Sequence, residues 1–149
     1  MKHYFITGAT GAIGSALIPL LLADPATQVT LLLRAKSVEE LPARIEELHR
    51  FWQVDAGDMA TRQRVHGLRG DVTAAAFGLN AQQYRDLAAE CTHIIHSAGK
   101  VRMNLPIEQA RRSAIVSAQS IIDLAHACRR LEKIEFVSTV GVEIGRAHF

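Results

Sequence analysis

Residues 7–14 read TGATGAIG, and this stretch decides the fold. It follows a short apolar run that is typical of a β-strand, and it opens a segment with helical periodicity. Gly8 permits a tight turn, Gly11 lets a backbone approach a pyrophosphate, and Gly14 lets the helix lie close to the strand. The free N–H groups of the helix N-terminus favour a bound anion. The stretch predicts a phosphate-binding turn, with a purely structural glycine turn as the alternative.

The rest of the chain alternates between strand-like and helix-like segments. Strands are predicted at residues 3–7, 28–33, 65–70, 93–97 and 134–138, and helices at residues 12–23, 41–54, 80–90 and 106–130. This order predicts an α/β fold, a doubly wound parallel sheet of the Rossmann type with at least five strands. A capping-box pattern at Ser37 and Glu40 competes with Leu41 as the start of the second helix, because Pro42 suits the first helical position.

Helical periodicity predicts which apolar side chains share a face. The apolar positions of the first helix fall on one face at Ile13, Leu17, Leu20 and Leu21. The long helix is predicted to turn inward a set of alanines and isoleucines: Ile107, Ala110, Ala114, Ala118, Ile121, Ile122 and Ala125.

Length and composition limit the possible classes of protein. A chain of 149 residues with 48% apolar and 21% charged residues is expected to form one globular domain, residues 1–149. A net charge of +2 without a basic cluster, and 5% aromatic residues, argue against nucleic-acid binding. The apolar run at residues 16–23 is too short to span a membrane and does not follow the pattern of a signal peptide, so we expect a cytoplasmic protein.

The cysteines and histidines do not predict a metal site. Cys91 and Cys128 are isolated, with no metal-ligand spacing, and are expected to be buried thiols. His93 and His96 lie three residues apart on a predicted strand, so their side chains point to opposite faces of the sheet and cannot share one ion.

The end of the second predicted strand indicates the cofactor. A protein that prefers NAD carries an acidic residue there, which holds the ribose hydroxyls. Here the sequence continues with Arg34, Ala35 and Lys36, and no acidic residue occurs before Glu39. The planar guanidinium of Arg34 suits a 2′-phosphate, and Lys36 adds positive charge. The stretch predicts NADP(H), with a solvated basic loop as the alternative.

These features together resemble the extended short-chain dehydrogenase/reductase superfamily. Within it, the chain is most similar to the thioester reductase and fatty acyl-CoA reductase-like branch, with its male-sterility-type NAD(P)-binding domain. The resemblance covers the whole chain and rests on residues 7–14, on residues 33–36 with Arg44, and on residues 70–72, 96–99 and 136–139.

The resemblance implies a role for each of these segments. Backbone amides of residues 10–13 would hold the pyrophosphate, and Arg34 with Arg44 would hold the 2′-phosphate. Asp71 and Val72 would flank the adenine, and residues 97–99 would line the path to the nicotinamide. The full predicted cofactor set is Gly8, Thr10, Gly11, Ala12, Ile13, Gly14, Arg34, Arg44, Asp71, Val72, Ser97, Ala98 and Gly99.

Catalysis in this superfamily uses a serine or threonine, a tyrosine and a lysine. By resemblance Thr139 is the first candidate for the hydroxyl that binds the substrate carbonyl, and Ser138 is the second; a simple turn or helix cap is the alternative. The Tyr-x-x-x-Lys motif is not found in residues 1–149, since Tyr4 and Tyr84 do not fit it. Ala114 stands where the family carries an asparagine.

Two hypotheses follow. In the first, residues 1–149 are the NADP(H)-binding domain and the N-terminal part of a longer oxidoreductase, which reduces a carbonyl or thioester on a small molecule, an acyl carrier or acyl-CoA. The open edge after the fifth strand would then be covered by the C-terminal part of the fold or by a second subunit. In the second, the chain is a non-catalytic NADP(H)-binding module with a regulatory or redox-sensing role. A methyltransferase is disfavoured, because the second strand lacks the acid that holds the ribose of S-adenosylmethionine.

Overall fold

The fold is a five-stranded parallel sheet with helices on both faces. The structure, a computed structural model, describes residues 1–99 and 106–138, apart from the side chain of Arg112. The strands are β1 (Lys2–Thr7), β2 (Thr27–Leu33), β3 (Val65–Arg69), β4 (His93–His96) and β5 (Lys133–Phe136). The helices are α1 (Ala12–Leu22), α2 (Leu41–Phe51), α3 (Met59–Arg62), α4 (Ala81–Glu90) and α5 (Ile107–Ala127). Short 3₁₀ turns occupy Val38–Glu40 and Ala75–Gly78.

The strand order confirms the predicted doubly wound sheet. The order is β3-β2-β1-β4-β5, and every neighbouring pair is parallel. The crossover from one half of the sheet to the other lies between β1 and β4, at the carboxyl end where such sheets bind ligands. Six of the seven residues of β2 are buried, which agrees with the predicted strand covered on both faces.

Two apolar cores lie on opposite faces of the sheet. Helices α1 and α2 cover one face, where the buried residues include Ile18, Val29 and Leu48. Helices α4 and α5 cover the other face, where Phe5 packs against Phe77 with ring centroids 5.3 Å apart. None of the helices described is long and apolar enough to cross a bilayer.

The predicted face of α1 is partly wrong. Ile13 and Leu20 are 50% and 72% exposed, and the buried positions are Gly14, Ser15, Ile18 and Leu22. The helix lies so close to the sheet that small residues occupy part of its inner face. A periodicity count that follows only large apolar side chains therefore misplaces this face by about one residue.

The inward face predicted for α5 is wrong at several positions. Ile107 and Ile122 are exposed, and the buried residues include Ser117 and Ser120. The hydroxyl of Ser117 donates to the Ala114 carbonyl one turn earlier, at 3.1 Å. A serine whose hydroxyl is bonded in this way can be buried without leaving a polar group unpaired.

Helix boundaries near the N-terminus of α2 differ from the capping-box prediction. The Glu40 carboxylate accepts a hydrogen bond from the Lys36 backbone N–H, at 2.8 Å, and the Ser37 side chain does not cap a helix. The α-helix begins at Leu41, as the alternative predicted, and it ends at Phe51 rather than residue 54. By contrast, the capping box of α4 forms in full between Asn80 and Gln83.

Two short elements were not predicted. Helix α3 has a single turn, which is capped by Asp58 through its bond from the Thr61 N–H. In the turn at Ala75–Gly78, Ala76 and Phe77 both have left-handed backbone angles, with φ of 48° and 59°. Phe77 is held there because its side chain is fully buried and its carbonyl accepts the Asp71 N–H. Burial of Phe77 thus offsets the cost of the left-handed backbone.

We predict that Ala76→Gly stabilises the protein. Glycine relieves the left-handed strain of about 1–2 kcal/mol, and its greater freedom in the unfolded chain cancels part of that gain. The expected increase in the free energy of unfolding is about 0.5–1 kcal/mol, measured by urea denaturation. Ala75→Gly, one residue earlier, is the matched control and should be destabilising. A loss of stability in Ala76→Gly would contradict the prediction.

Three histidines are buried in the part of the chain that the structure describes. His3 shares a 2.7 Å hydrogen bond with the Thr30 hydroxyl, and its second ring nitrogen lies 3.5 Å from the Glu90 carboxylate. His49 is 3% exposed, and neither of its ring nitrogens has a hydrogen-bond partner among the described residues. Burial lowers the pKa of His3, His49 and His96 below the ordinary value of 6.5, because the imidazolium form loses its hydration.

We predict that acidification destabilises the protein over a pH range set by the pKa values of these three histidines. Below pH 6.5 the unfolded chain takes up protons that the folded chain does not, since the pKa of each of the three is lower in the folded state. The free energy of unfolding is therefore at its full value above pH 6.5, and it is lost as the pH falls from there toward the folded-state pKa values.

Urea unfolding at about pH 7.5 and about pH 5.5 measures this loss. His49→Leu should make the loss smaller, and His126→Gln on the exposed surface of α5 is the control. An undiminished loss in His49→Leu would contradict the role given to His49.

Candidate cofactor-binding site

The site is built on the junction between the carboxyl ends of β1 and β4. The Ser97 N–H and the Ser97 hydroxyl both donate to the Thr7 carbonyl, at 3.1 Å and 2.8 Å. Gly8 has a φ of +79°, and a Cβ atom there would lie 2.6 Å from both the Ala98 nitrogen and the Ser97 carbonyl carbon. A side chain at Gly8 would thus collide with backbone atoms as well as strain the turn. The β1 turn and the β4 loop are in direct contact for this reason.

A buried polar pair joins the same two strands. Thr7 Oγ1 and His96 Nδ1 share a hydrogen bond of 2.7 Å, and both side chains are buried. The His96 ring also packs edge-on against Phe136 of β5, with centroids 5.2 Å apart. Burial lowers the pKa of His96, so the imidazole is neutral at neutral pH. These contacts hold the ends of three neighbouring strands in one arrangement.

A cleft of about 840 Å³ runs along these strand ends. Its size lies in the range of small-molecule and cofactor sites. Most of the predicted cofactor residues, and the predicted hydroxyl residue Ser138, line it: Gly8, Thr10, Gly11, Arg34, Arg44, Asp71, Val72, Ser97, Ala98, Gly99 and Ser138. The structure therefore brings together segments that are distant in sequence. Thr139 lies outside the described residues.

Ala12, Ile13 and Gly14 do not line the cleft, but they form the first turn of α1 beside it. Gly11 is the N-cap with extended backbone angles, no side chain caps this helix, and its first turn contains no acidic residue. The first N–H groups of a helix have no carbonyl partner within it, so this end can donate to an anion. Gly14 is buried, and a Cβ there would lie 2.3 Å from the Gly8 carbonyl oxygen.

The cationic end of the cleft contains two arginines. Arg34 follows β2 directly and is exposed, whereas Arg44 extends from α2 and is half-buried. The Nε atom of Arg44 is buried and has no hydrogen-bond partner within residues 1–99 and 106–138. An unpaired buried guanidinium N–H is costly, and Arg44 also lines the cleft. Lys36 is exposed and does not line the cleft, so it adds charge only from outside.

The loop after β3 closes the cleft beside these arginines. The Asp71 carboxylate accepts hydrogen bonds from the Thr73 N–H, at 2.8 Å, and from the Thr73 hydroxyl, at 2.6 Å. The Asp71 N–H donates to the Phe77 carbonyl at 2.9 Å. The loop that carries Asp71 and Val72 is therefore fixed by its own hydrogen bonds and by the buried Phe77.

Several lining residues were missed by the sequence-based prediction. His96, Phe136 and Val137 belong to or follow the strands, and a row of small residues on α5 forms one wall: Ala110, Ser113, Ala114, Ser117 and Ala118. The alanine spacing of α5 is the signal that the sequence offers, and it predicts packing against the sheet rather than a cleft wall. Neither Tyr4 nor Tyr84 lines the cleft. Among the described residues, no three His, Cys, Asp or Glu side chains group as metal ligands.

Comparison with known protein families identifies the family to which this sheet and its glycine turn belong. Residues 6–148 match the family described as male sterility protein. The chain belongs to this family. The resemblance to a male-sterility-type NAD(P)-binding domain is thereby confirmed.

Relatives of this male sterility family domain are considerably longer. A linear gramicidin synthase of Brevibacillus parabrevis is 31% identical over 91% of the chain, which covers 3% of that protein. Fatty acyl-CoA reductase wat of Drosophila melanogaster is 27% identical over 99% of the chain, which covers 29% of that protein. The solved terminal R domain of the myxalamid PKS-NRPS biosynthetic pathway is 27% identical over 99% of the chain, with a TM-score of 0.80 and 38% of that structure covered.

We predict that Gly14→Ala destabilises this male sterility family domain by disturbing the glycine turn. The added methyl group would lie 2.3 Å from the Gly8 carbonyl oxygen, so α1 must move away from β1. The expected loss in the free energy of unfolding is about 1–3 kcal/mol, measured by urea denaturation. Gly99→Ala is the matched control, since a Cβ at Gly99 meets no atom of the described residues within 4 Å. Equal stability of the two variants would contradict the close approach.

Proposed function

We propose that this chain is the NADP(H)-binding domain of a reductase that acts on an acyl thioester or a related carbonyl compound. Residues 1–149 would form the cofactor-binding part of a longer fold, because the relatives extend well beyond the matched region. The bound dinucleotide supplies a hydride in such a reaction. The chain's own residues bind it, orient it and polarise the substrate carbonyl.

The observation that carries the proposal is the pair Arg34 and Arg44 in the same cleft as the glycine turn. A 2′-phosphate is a dianionic group that planar guanidinium forks bind through charge-assisted hydrogen bonds. Arg44 offers a buried N–H without a partner among the described residues, and the end of β2 carries no acidic side chain that would repel the phosphate. These features favour NADP(H) over NAD(H).

Other residues of the cleft take the remaining parts of the dinucleotide. The first N–H groups of α1, at Ala12 and Ile13, would bind the pyrophosphate. Asp71 and Val72 would flank the adenine. The nicotinamide would lie toward residues 97–99, next to the β1–β4 junction. Ser138, with Thr139 after it, would place a hydroxyl where it can donate to the substrate carbonyl.

The substrate class is proposed from the relatives, which include a fatty acyl-CoA reductase and the terminal R domain of a biosynthetic pathway. A tyrosine acid with its lysine, expected from the resemblance, must then come from polypeptide other than residues 1–149. Tyr4 packs against His93 with ring centroids 4.5 Å apart, and Tyr84 packs against Phe77. Both are therefore engaged away from the cleft.

This engagement of Tyr4 and Tyr84 also favours the second candidate, an NADP(H)-binding module without catalysis. A reductase oxidises bound NADPH when its substrate is present, whereas a binding module does not. NADPH oxidation is measured with a long-chain acyl-CoA thioester, using the protein in its natural full length. Thioester-dependent oxidation supports the reductase, and tight NADPH binding without oxidation supports the binding module.

We predict that Arg34→Ala removes the preference for the 2′-phosphate. Loss of one charge-assisted contact costs about 1.5–3 kcal/mol, so NADPH affinity should fall by roughly ten- to a hundredfold. NADH affinity should hardly change, because NADH differs from NADPH only in lacking that phosphate. Calorimetric titration of both nucleotides measures the two affinities.

Arg85→Ala is the control for the change in net charge. Arg85 lies on α4, where it donates to Gln82, and it does not line the cleft. Equal affinity of the unaltered protein for NADPH and NADH would refute the assignment of NADP(H).

A further inference from the structure

Arg69, the last residue of β3, bonds to the loop that carries Arg34. Its Nε–H donates to the Ala35 carbonyl at 2.9 Å, and its Nη2 donates to the Lys36 carbonyl at 3.3 Å. In the sheet Arg69 pairs with Leu33, the residue immediately before Arg34. One guanidinium thus spans two consecutive carbonyls of a loop that has no regular secondary structure.

Two further hydrogen bonds fix the ends of this loop. The Gly70 N–H donates to the Leu33 carbonyl at 3.0 Å, just before the loop begins. The Lys36 N–H donates to the Glu40 carboxylate at 2.8 Å, just after it. Without Arg69, the carbonyls of Ala35 and Lys36 would lose both of their bonds to the neighbouring strand. Arg69 therefore holds the carbonyls of this loop, while Glu40 holds the Lys36 N–H.

We propose that Arg69 is a positioning residue for recognition of the 2′-phosphate, and this inference rests on the proposed function. Arg69 does not line the cleft, whereas Arg34 does. By fixing the two carbonyls that follow Arg34, it holds the Arg34 backbone in place before the nucleotide arrives. Binding then carries a smaller entropic cost for ordering the loop.

The planar fork of arginine is essential to this role. Two N–H groups in one plane can donate to two adjacent carbonyls, whereas a lysine ammonium is a point charge on a flexible stem. If Arg69 acts through its two N–H donors, Arg69→Lys should lose its effect. If it acts only through its positive charge, Arg69→Lys should retain it. The side chain of Arg69 is exposed on the edge strand, so replacing it leaves both apolar cores intact.

Arg64 provides a matched control at the other end of β3. It directly precedes the strand and donates to the carbonyls of Leu22, Asp24 and Thr27 at 2.9–3.0 Å. It is the same residue type, it donates to backbone carbonyls as Arg69 does, and it lies at the amino end of the sheet, away from the cleft. Arg64→Met therefore reports what the loss of such a clamp does to stability alone.

The experiment compares the ratio of NADPH to NADH affinity in four proteins: unaltered, Arg69→Met, Arg69→Lys and Arg64→Met. Calorimetry gives both affinities, and thermal denaturation gives the stability of each protein. We expect Arg69→Met to weaken NADPH binding by about tenfold and to change NADH binding by less than about twofold. Arg69→Lys should resemble Arg69→Met, and Arg64→Met should lower the melting temperature with the ratio unchanged.

Hydrogen exchange supplies a readout that is independent of nucleotide binding. Arg69→Met should accelerate exchange of the backbone amides of residues 35–37 without affecting those of β1 and β4. Unchanged exchange of these loop amides would overturn the inference, as would full recovery of the NADPH preference by Arg69→Lys.

The outcomes also separate this inference from the proposed function. If the unaltered protein does not prefer NADPH, the NADP(H) assignment fails and the role of Arg69 fails with it. If the preference exists and Arg34→Ala removes it while Arg69→Met retains it, only the role of Arg69 is refuted.

Discussion

The backbone contact between Gly8 and the Ser97–Ala98 peptide is the constraint on which the rest of the site depends. A Cβ at Gly8 would lie 2.6 Å from atoms of that peptide, so the β1 turn and the β4 loop can approach only because glycine has none. Both donors of Ser97 then bond to the Thr7 carbonyl, and His96 bonds to the Thr7 hydroxyl. These contacts join the carboxyl ends of β1 and β4, and the cleft lies directly next to them.

The loops around the cleft are held by contacts with neighbouring elements. Asp71 is fixed through Thr73 and the buried Phe77, and the loop after β2 is fixed by Arg69 and Glu40. Arg44 differs, because its buried Nε has no partner in the part of the chain that the structure describes. A preorganised loop beside two cationic side chains favours an anionic ligand, since little remains to be ordered when the ligand binds.

Sequence patterns predicted the strands and the doubly wound sheet well, and predicted the helix faces poorly. A nearly continuous apolar run as short as residues 28–33 favours a strand covered on both faces, because buried helices are longer. The faces of α1 and α5 were misplaced because small residues take the positions closest to the sheet. Gly14 and Ser117 are buried there, while Leu20 and Ile122 are exposed. Close packing selects for small size, which a count of large apolar side chains does not detect.

In the site, residues that act through their side-chain type could be predicted, and contacts to the backbone could not. Gly8, Gly11 and Arg34 were identifiable because their chemistry depends on residue type at a fixed spacing. Arg69 acts on backbone carbonyls, which every residue possesses, so no sequence pattern marks its partners. Glu40 fits a capping box in the sequence, yet its carboxylate accepts from the Lys36 N–H instead. If the NADP(H) proposal holds, the geometry of the loop after β2 contributes to cofactor preference together with Arg34.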